Sequence, residues 1–591
     1  MMKKDSLKNI YIKELVEKNF ENSKKLNIEE ARKLPDCEEY FFDELQNIEV
    51  NGFPFASDFV DKDGNSYSMV EYPNLSNKKK KEVRLKYYYL PKYHELYIGT
   101  TGSGKTTGCV EPQIRALVTQ KNKPNLFISD PKGEIYNNNA EYMIKQGYQV
   151  KVLNFKNIRR SDRWNPIREI YCSYMRLEKL NDDFSRLLAE KLISYDGFEF
   201  KEKSSFINYV LQKRTTIENE TDSLINQFVN LLLPVESKND KTWEQGGQEA
   251  MTGILYIMLD LAIRHKTTGF TEEKFTIKTM FDIFNHFTKY FDSSDRVGSS
   301  SEELTEHPLL KNNSKAFIKI QTVFAAPTVT RKSYTTTISS RIRDWSQGHI
   351  FALTTGQSFN VEELEGPYAI FIVTRDYEKS DYTIAGLFID YVYRTLIKKA
   401  EEEMSKDITP RTMHFILDEF ANIPKIPNFE MKISTSRSRN IYMHLFLQTY
   451  EQLDNVYEPT QAKVIVGNCN NRVFLGSQSY DTIQKFSSEC GLRSYVTSAF
   501  NDKDVPREIK VVTSSNLDLI EIGSMYMKRI YTPVIYTRFI RSYFLRNEGF
   551  YKYFSNNALN ELPMINDIIY SSPEYSLNFK EFINNKNEDD D

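Results

Sequence analysis

The stretch Gly99-Thr100-Thr101-Gly102-Ser103-Gly104-Lys105-Thr106 decides the reading of this chain. It spells G-x-x-x-x-G-K-[ST] and stands between the apolar run HELYIG (94–99) and the amphipathic stretch CVEPQIRALVTQ (109–120). Strand, glycine-rich turn and helix are the setting in which such a loop wraps phosphate. The glycines let backbone N–H groups turn inward, and the helix amino terminus adds a positive dipole. Lys105 is then placed to reach the β- and γ-phosphates of a nucleotide, and the Thr106 hydroxyl to ligate magnesium. ATP and Mg2+ are the cofactors this implies.

Working outward, the strand–helix alternation repeats with NLFISD (125–130), the helical EIYNNNAEYMIKQ (134–146) and YQVKVLNF (148–155). That rhythm predicts an α/β fold with a doubly wound, mainly parallel sheet. From about residue 168 to 343 the alternation is lost. Segments such as DDFSRLLAEKLISY, SLINQFVNLLL and QEAMTGILYIMLDLAIRH carry apolar residues at helical spacing, which predicts an inserted all-α domain. Strand-like runs return with YAIFIVTR (368–375), MHFILDEF (413–420), IYMHLFLQ (441–448) and NRVFLGS (471–477), so chain on both sides of the insertion completes the sheet. The expected divisions are an N-terminal region 1–90, nucleotide-binding segments 91–167 and 344–545, the insertion 168–343, and a tail 546–591. The acidic end of that tail, NNKNEDDD, is expected to be disordered.

A phosphate-binding loop needs an acidic partner at the end of a neighbouring strand, and HFIL (414–417) followed by Asp418 and Glu419 supplies it. Asp418 suits the magnesium shell and Glu419 suits polarisation of the attacking water. Downstream, Ser434-Thr435-Ser436-Arg437-Ser438-Arg439 offers an arginine for a neighbouring subunit's nucleotide, with Arg437 the first choice and Arg439 the second. Gln448, at the end of the following strand, is a candidate polar sensor of the γ-phosphate. Gln245-Gly246-Gly247-Gln248 echoes a transporter-ATPase signature, but the acidic strand lies far too distant for that family.

Composition sets limits on the rest. At 591 residues, 40% hydrophobic and 27% charged, the chain is long enough for two to four folded domains. A net charge of -3 does not announce a nucleic-acid binder, although a ring can confine basic side chains to its pore. The five cysteines have no paired spacing and no neighbouring histidines, which argues against zinc or disulfides and for a reducing cytoplasm. The most apolar run, GILYIMLDLAI (253–263), is too short for a membrane span and contains Asp260, so a buried core helix is expected. The run Lys78–Lys81 beside Tyr87–Tyr89 reads first as a solvated loop, with attraction to DNA or an anionic membrane as the alternative.

Between residues 95 and 492 the motifs resemble the type IV coupling proteins of bacterial conjugation and type IV secretion. The resemblance is carried by GTTGSGKTTG, SDPKGEIY (129–136), RWNP (163–166), the Trp243 and Ala250 region, HFILDEFANIPKIP, the STSRSRNIYMHLFLQTYEQLDNVY block and GNCNNRVFLGSQSYDTIQKFSSECG, in that order. It implies a RecA-like nucleotide-binding domain with an all-α domain, a hexameric homo-oligomer, and an ATP-driven DNA-transfer motor. The implied partners are single-stranded or duplex DNA, a relaxase or relaxosome, and the proteins of a type IV secretion channel. Many members begin with transmembrane helices. Since none is read here, the expectation is a cytoplasmic protein at the inner face of the cell membrane, held there by a separate membrane anchor protein or by docking of the ring directly on the channel. The alternatives are a nucleotide-dependent recruitment platform that does not pump, or a related DNA translocase or secretion ATPase.

Overall fold

The computed structural model describes residues 36–550, apart from 191–192, 236–240, 265–269, 293–303, 312, 344, 346–347, 376–378, 424, 499–503, 522 and 531. The acidic end of the tail and the first residues therefore lie outside the described residues. The described residues divide into two compact units, one built from 36–156 and 361–550, the other from 157–360.

In the first unit the chain begins with β1 (Glu38–Phe41), β2 (Gly52–Val60), β3 (Ser66–Tyr67) and β4 (Arg84–Pro91), which form an antiparallel sheet in the order β1-β4-β2-β3. The register of β2 against β4 shifts between Pro54 and Ala56, where proline has no N–H to give to a regular ladder. Tyr87, Tyr88 and Tyr89 of β4 are fully buried, whereas Lys78, Lys79 and Lys81 are exposed; the lysine run is solvated as read, but it forms a short helix, Asn77–Lys80, rather than a loop. The sequence places a division near residue 90, but the hydrophobic core crosses it: Phe53, Phe59 and Tyr87 share one cluster with Ile114, Phe446 and Ile540.

The next strands are β5 (Glu95–Gly99), β6 (Asn125–Ser129) and β7 (Gln149–Asn154). Among the described residues, the strands of the second unit are the short hairpin β8 (Ile193–Tyr195) and β9 (Phe198–Phe200). The first unit resumes with β10 (Tyr368–Val373), β11 (Met413–Leu417), β12 (Ile441–Leu447) and β13 (Asn471–Gly476). It ends with the hairpin β14 (Leu492–Ser498) and β15 (Asp504–Lys510), then β16 (Ser524–Arg529) and β17 (Ile535–Arg538). Nine of these make one sheet in the order β17-β16-β13-β5-β12-β11-β6-β10-β7. From β13 to β7 every pairing is parallel, and β16 and β17 add an antiparallel edge. The parallel strands are near-continuous apolar runs because both faces of such a sheet are covered. Each strand read from the sequence in this sheet is present, while β16 and β17 were not read. Their mixed polar spelling, SMYMKR and IYTR, hides them.

The second unit packs the helices Arg168–Leu187, Lys203–Leu232, Thr242–Arg264, Ile277–Asp292, Ser314–Phe324 and Thr328–Ile342. Residues Met251, Ile254, Leu255 and Met258 of the Thr242–Arg264 helix are fully buried, as expected for a core helix. Among the described residues no helix is long and apolar enough to cross a membrane. The glycines of the Gln245–Gln248 segment serve packing: a Cβ on Gly246 would strike the Tyr334 ring, and one on Gly247 would stand 3.0 Å from Ile338. One expectation needs correction. The stretch DDFSRLLAEKLISY is not one helix, because its end Ile193–Tyr195 turns into β9. Asp196 and Gly197 adopt φ of 55° and 81°, the conformation that an Asp-Gly pair supplies to a two-residue hairpin.

Candidate nucleotide-binding site

The loop 99–106 leaves the carboxyl end of β5 and feeds directly into helical backbone at Lys105–Val110, then Glu111–Thr119. Gly102 and Gly104 have φ of 84° and 95°, a region a β-carbon disfavours, and these two residues turn the loop. The Lys105 ammonium bends back to donate to the Gly99 carbonyl and, at 3.4 Å, to the Thr100 carbonyl. Burial pushes the Lys105 pKa below its ordinary value, against the pull of Asp418 and Glu419.

Strand order explains the acidic partner. β12 lies between β5 and β11, so the carboxyl ends of the three strands form one edge. Leu417 is level with Leu445, and Ile98 with Leu447. The Thr106 hydroxyl donates to the Asp418 carboxylate over 3.4 Å. Burial, then the neighbouring Glu419 charge, pushes the Asp418 pKa up to about 6, with Lys105 opposing. Glu419 has a φ of 51° and accepts a 2.7 Å hydrogen bond from Asn422. Its half-buried carboxylate thus leaves the strand line at the same edge. Gln448 follows β12 directly and stands on the intervening strand, with its backbone N–H donating to Gln452 at 3.1 Å.

Arg437 and Arg439 are elsewhere. They precede β12, at the amino end of the parallel strands, opposite the phosphate loop. Arg437 is exposed, with its guanidinium 5.4 Å from the ring centre of Tyr93, just before β5. Arg439 is paired to Glu401 at 2.8 Å. The chain therefore places Lys105, Thr106, Asp418, Glu419 and Gln448 at one edge of the sheet, while Arg437 stands exposed at the far edge.

Two features were not assigned from the sequence. Asp130, ending β6, accepts from the backbone N–H groups of Gly133 and Tyr136, both at 2.8 Å, and so shapes the Asp130–Glu134 turn. Burial raises its pKa to about 7, with Asp418 adding to the shift and the two N–H groups opposing it. The exposed Lys132 on that turn lies close enough for its charge to act on both Lys105 and Asp418. The acid at the end of NLFISD was the available signal. The second feature is Arg541, whose guanidinium donates to the Ser103 carbonyl at 3.4 Å. No motif announced it.

The donor set fits a magnesium nucleotide: a glycine-turned loop, one ammonium, a hydroxyl and a carboxylate in contact, and a second carboxylate next in the chain. Among the described residues no cluster of histidine, cysteine and acidic side chains suggests a resident metal of the protein's own.

Comparison with known proteins agrees with this geometry. No curated protein matches the chain. Among solved structures, the bacterial conjugative coupling protein TrwBdeltaN70, in an unbound form, matches with 14% identity and a TM-score of 0.50, over 83% of this chain and 95% of that one. The plasmid coupling protein TrwB in complex with the non-hydrolysable ATP analogue ADPNP gives the same identity, coverage and score. At that identity the likeness concerns the fold: a nucleotide-binding sheet and a helical domain. The model of the type IV secretory system conjugative DNA transfer family matches residues 59–516. That span includes the phosphate loop, the acidic strand and the arginine segment, and the chain belongs to the family of type IV secretory system conjugative DNA-transfer proteins.

Proposed function

We propose that this chain is an ATP-hydrolysing ring motor, a coupling protein that links a DNA–relaxase complex to a type IV secretion channel and drives conjugative DNA transfer. The observation that carries this reading is the split of the catalytic set. Lys105, Thr106, Asp418, Glu419 and Gln448 meet at one sheet edge, while Arg437 stands exposed at the other. A protomer built this way lacks a cationic finger from the Arg437 segment at its own site and offers one outward, which suits a head-to-tail ring. A hexamer is the assembly the family resemblance implies.

ATP with Mg2+ would supply the transferable phosphoryl group and neutralise its charge. Lys105 and the loop N–H groups hold the phosphates. Thr106 and Asp418 orient the metal shell, and Glu419 accepts a proton from the attacking water. Gln448, on the strand between loop and base, is placed to read whether the terminal phosphate is present. The relaxase complex and the channel proteins are the partners of this reading. Residence at the inner face of the membrane through a separate anchor protein belongs to it as well. The test is ATP hydrolysis measured alone, with single-stranded DNA and with duplex DNA. Stimulation by DNA is expected, and hydrolysis indifferent to both DNA forms would favour a recruitment platform that does not pump.

A further inference from the structure

The segment after β17 returns to the phosphate loop, and each of its residues is held in place. Arg538 pairs with the buried Asp58 of β2 at 3.0 Å, and the Ile540 N–H donates to Ser57 at 2.9 Å. Phe539 and Ile540 are buried in the core. On the far side of Arg541, the Ser542 hydroxyl donates to Glu111, and Arg546 reaches the same carboxylate at 3.7 Å. Glu111 is buried at the start of the helix that the phosphate loop launches. Arg541 is therefore fixed between the N-terminal sheet and the loop helix, with anchors on either side.

Its guanidinium lies over the second half of the loop. A Cβ added to Gly104 would stand 2.8 Å from one guanidinium nitrogen, and one on Gly523 would stand 3.7 Å from Nε. Both glycines have positive φ, 95° and 97°, and at Gly104 a side chain would collide with the guanidinium. Of its five N–H donors, one makes a 3.4 Å contact to the Ser103 carbonyl, and the shielded Nε has no hydrogen-bond partner. The Ser103 hydroxyl beside it is likewise buried without a partner. A guanidinium pinned over the phosphate loop, with its Nε unpartnered among the described residues, has donors suited to an anion.

We propose that Arg541 is a phosphate-binding residue of this site, acting on the nucleotide of its own subunit. It would grip the phosphate chain of a nucleoside di- or triphosphate from the side opposite Asp418. The proposal rests on the nucleotide-binding reading of the 99–106 loop and adds to it a residue beyond the span 59–516 matched by the family model. A planar guanidinium binds phosphate with two N–H groups at once, which an ammonium cannot copy. Because Arg541 is tied to β2 through its neighbours, phosphate occupancy is also transmitted to the N-terminal sheet.

The test uses the full chain and fluorescent ATP and ADP analogues. Arg541→Ala should weaken binding of both by roughly ten- to a hundredfold, the loss of one or two charged hydrogen bonds. Arg541→Lys should recover only part of it. Wild-type affinity in Arg541→Ala, alongside lost binding in Lys105→Ala, overturns the role of Arg541 and leaves the loop reading intact. A wild-type protein that binds neither nucleotide overturns both. A second measurement needs no substitution: phenylglyoxal modification of Arg541 in the wild-type protein, mapped by mass spectrometry. ADP should protect Arg541, and equal modification with and without ADP overturns the proposal even if the variants do not fold.

Discussion

The Thr106 hydroxyl and the Asp418 carboxylate meet at 3.4 Å although they lie 312 positions apart in the chain. A nucleotide site thus arises where the helix launched by β5 faces the end of β11, with β12 between them. Glu419, the residue after Asp418, has a left-handed backbone at φ 51°, and its charge acts on both Lys105 and Asp418.

Lys105→Ala and Glu419→Gln should separate binding from turnover. Lysine holds phosphate in the ground state, whereas the glutamate acts on water only as the reaction proceeds. Lys105→Ala should lose both nucleotide affinity and hydrolysis. Glu419→Gln should bind ATP near the wild-type level and hydrolyse it ~100- to 10,000-fold more slowly, the usual worth of a general base. Normal turnover in Glu419→Gln, measured as phosphate release, would remove the base role.

Arg437→Ala should bind ATP as the wild type does, since Arg437 stands at the opposite end of the parallel strands from its own loop. Alone it should hydrolyse poorly. Mixed with Glu419→Gln it should regain part of the activity, because some interfaces then pair an intact glutamate with an intact arginine. Demonstrated mixed rings with no recovery would show that Arg437 does not act across a subunit interface.

Acid should destabilise the first unit through His94. Its ring is buried, its Nδ1 accepts the Met443 N–H at 3.0 Å, and burial, the nearby His444 and the Arg437 charge hold its pKa down to about 3. The unfolded state binds this proton near pH 6.5, so between about pH 6.5 and 3 unfolding takes up protons. The stability from His94 is fully present above pH 6.5 and is lost as pH falls. Asp130 and Asp418, whose pKa values are raised, work in the opposite sense. The informative comparison is therefore between wild type and His94→Asn. From pH 7 to 5 the wild type should lose about 2 kcal/mol more than the variant in urea unfolding. Parallel pH profiles would contradict this.

Phe446→Ala should strike the join between β12 and β5. Its ring stacks on Tyr97 with centroids 4.3 Å apart and planes 9° from parallel, and both side chains are buried. Removing a core aromatic of this kind costs about 3–5 kcal/mol. Amide hydrogen exchange in β5 and β12 should accelerate together, and unchanged protection in β5 would show that the pair does not hold the two strands.

Much of the parallel sheet was legible because strands buried on both faces are spelled as unbroken apolar runs, such as LFIS before Asp130 and FIL before Asp418. Strands with one polar face are quieter. β16 and β17 go unread, and Ile193–Tyr195 of the Asp196-Gly197 hairpin reads as helix, because so short a run fits either period. The core linking β2 and β4 to the main sheet was equally silent, since a sequence gives no measure of which apolar faces will meet.

The sequence by itself determined the phosphate loop, the acidic strand end and the order of motifs that marks the family. Those signals are local, because a turn needs its glycines and a loop its lysine within eight residues whatever the rest of the chain does. Only the tertiary structure decided which edge each candidate occupies. Strand order placed Gln448 on the strand between the phosphate loop and Glu419 and sent Arg437 to the far end. It also brought Arg541 to Ser103 across 438 positions. Such contacts are set by packing and by the pairing of distant strands. The neighbours that anchor Arg541 find their own partners, Asp58, Ser57 and Glu111, hundreds of positions away, and local spelling therefore carries no trace of the contact.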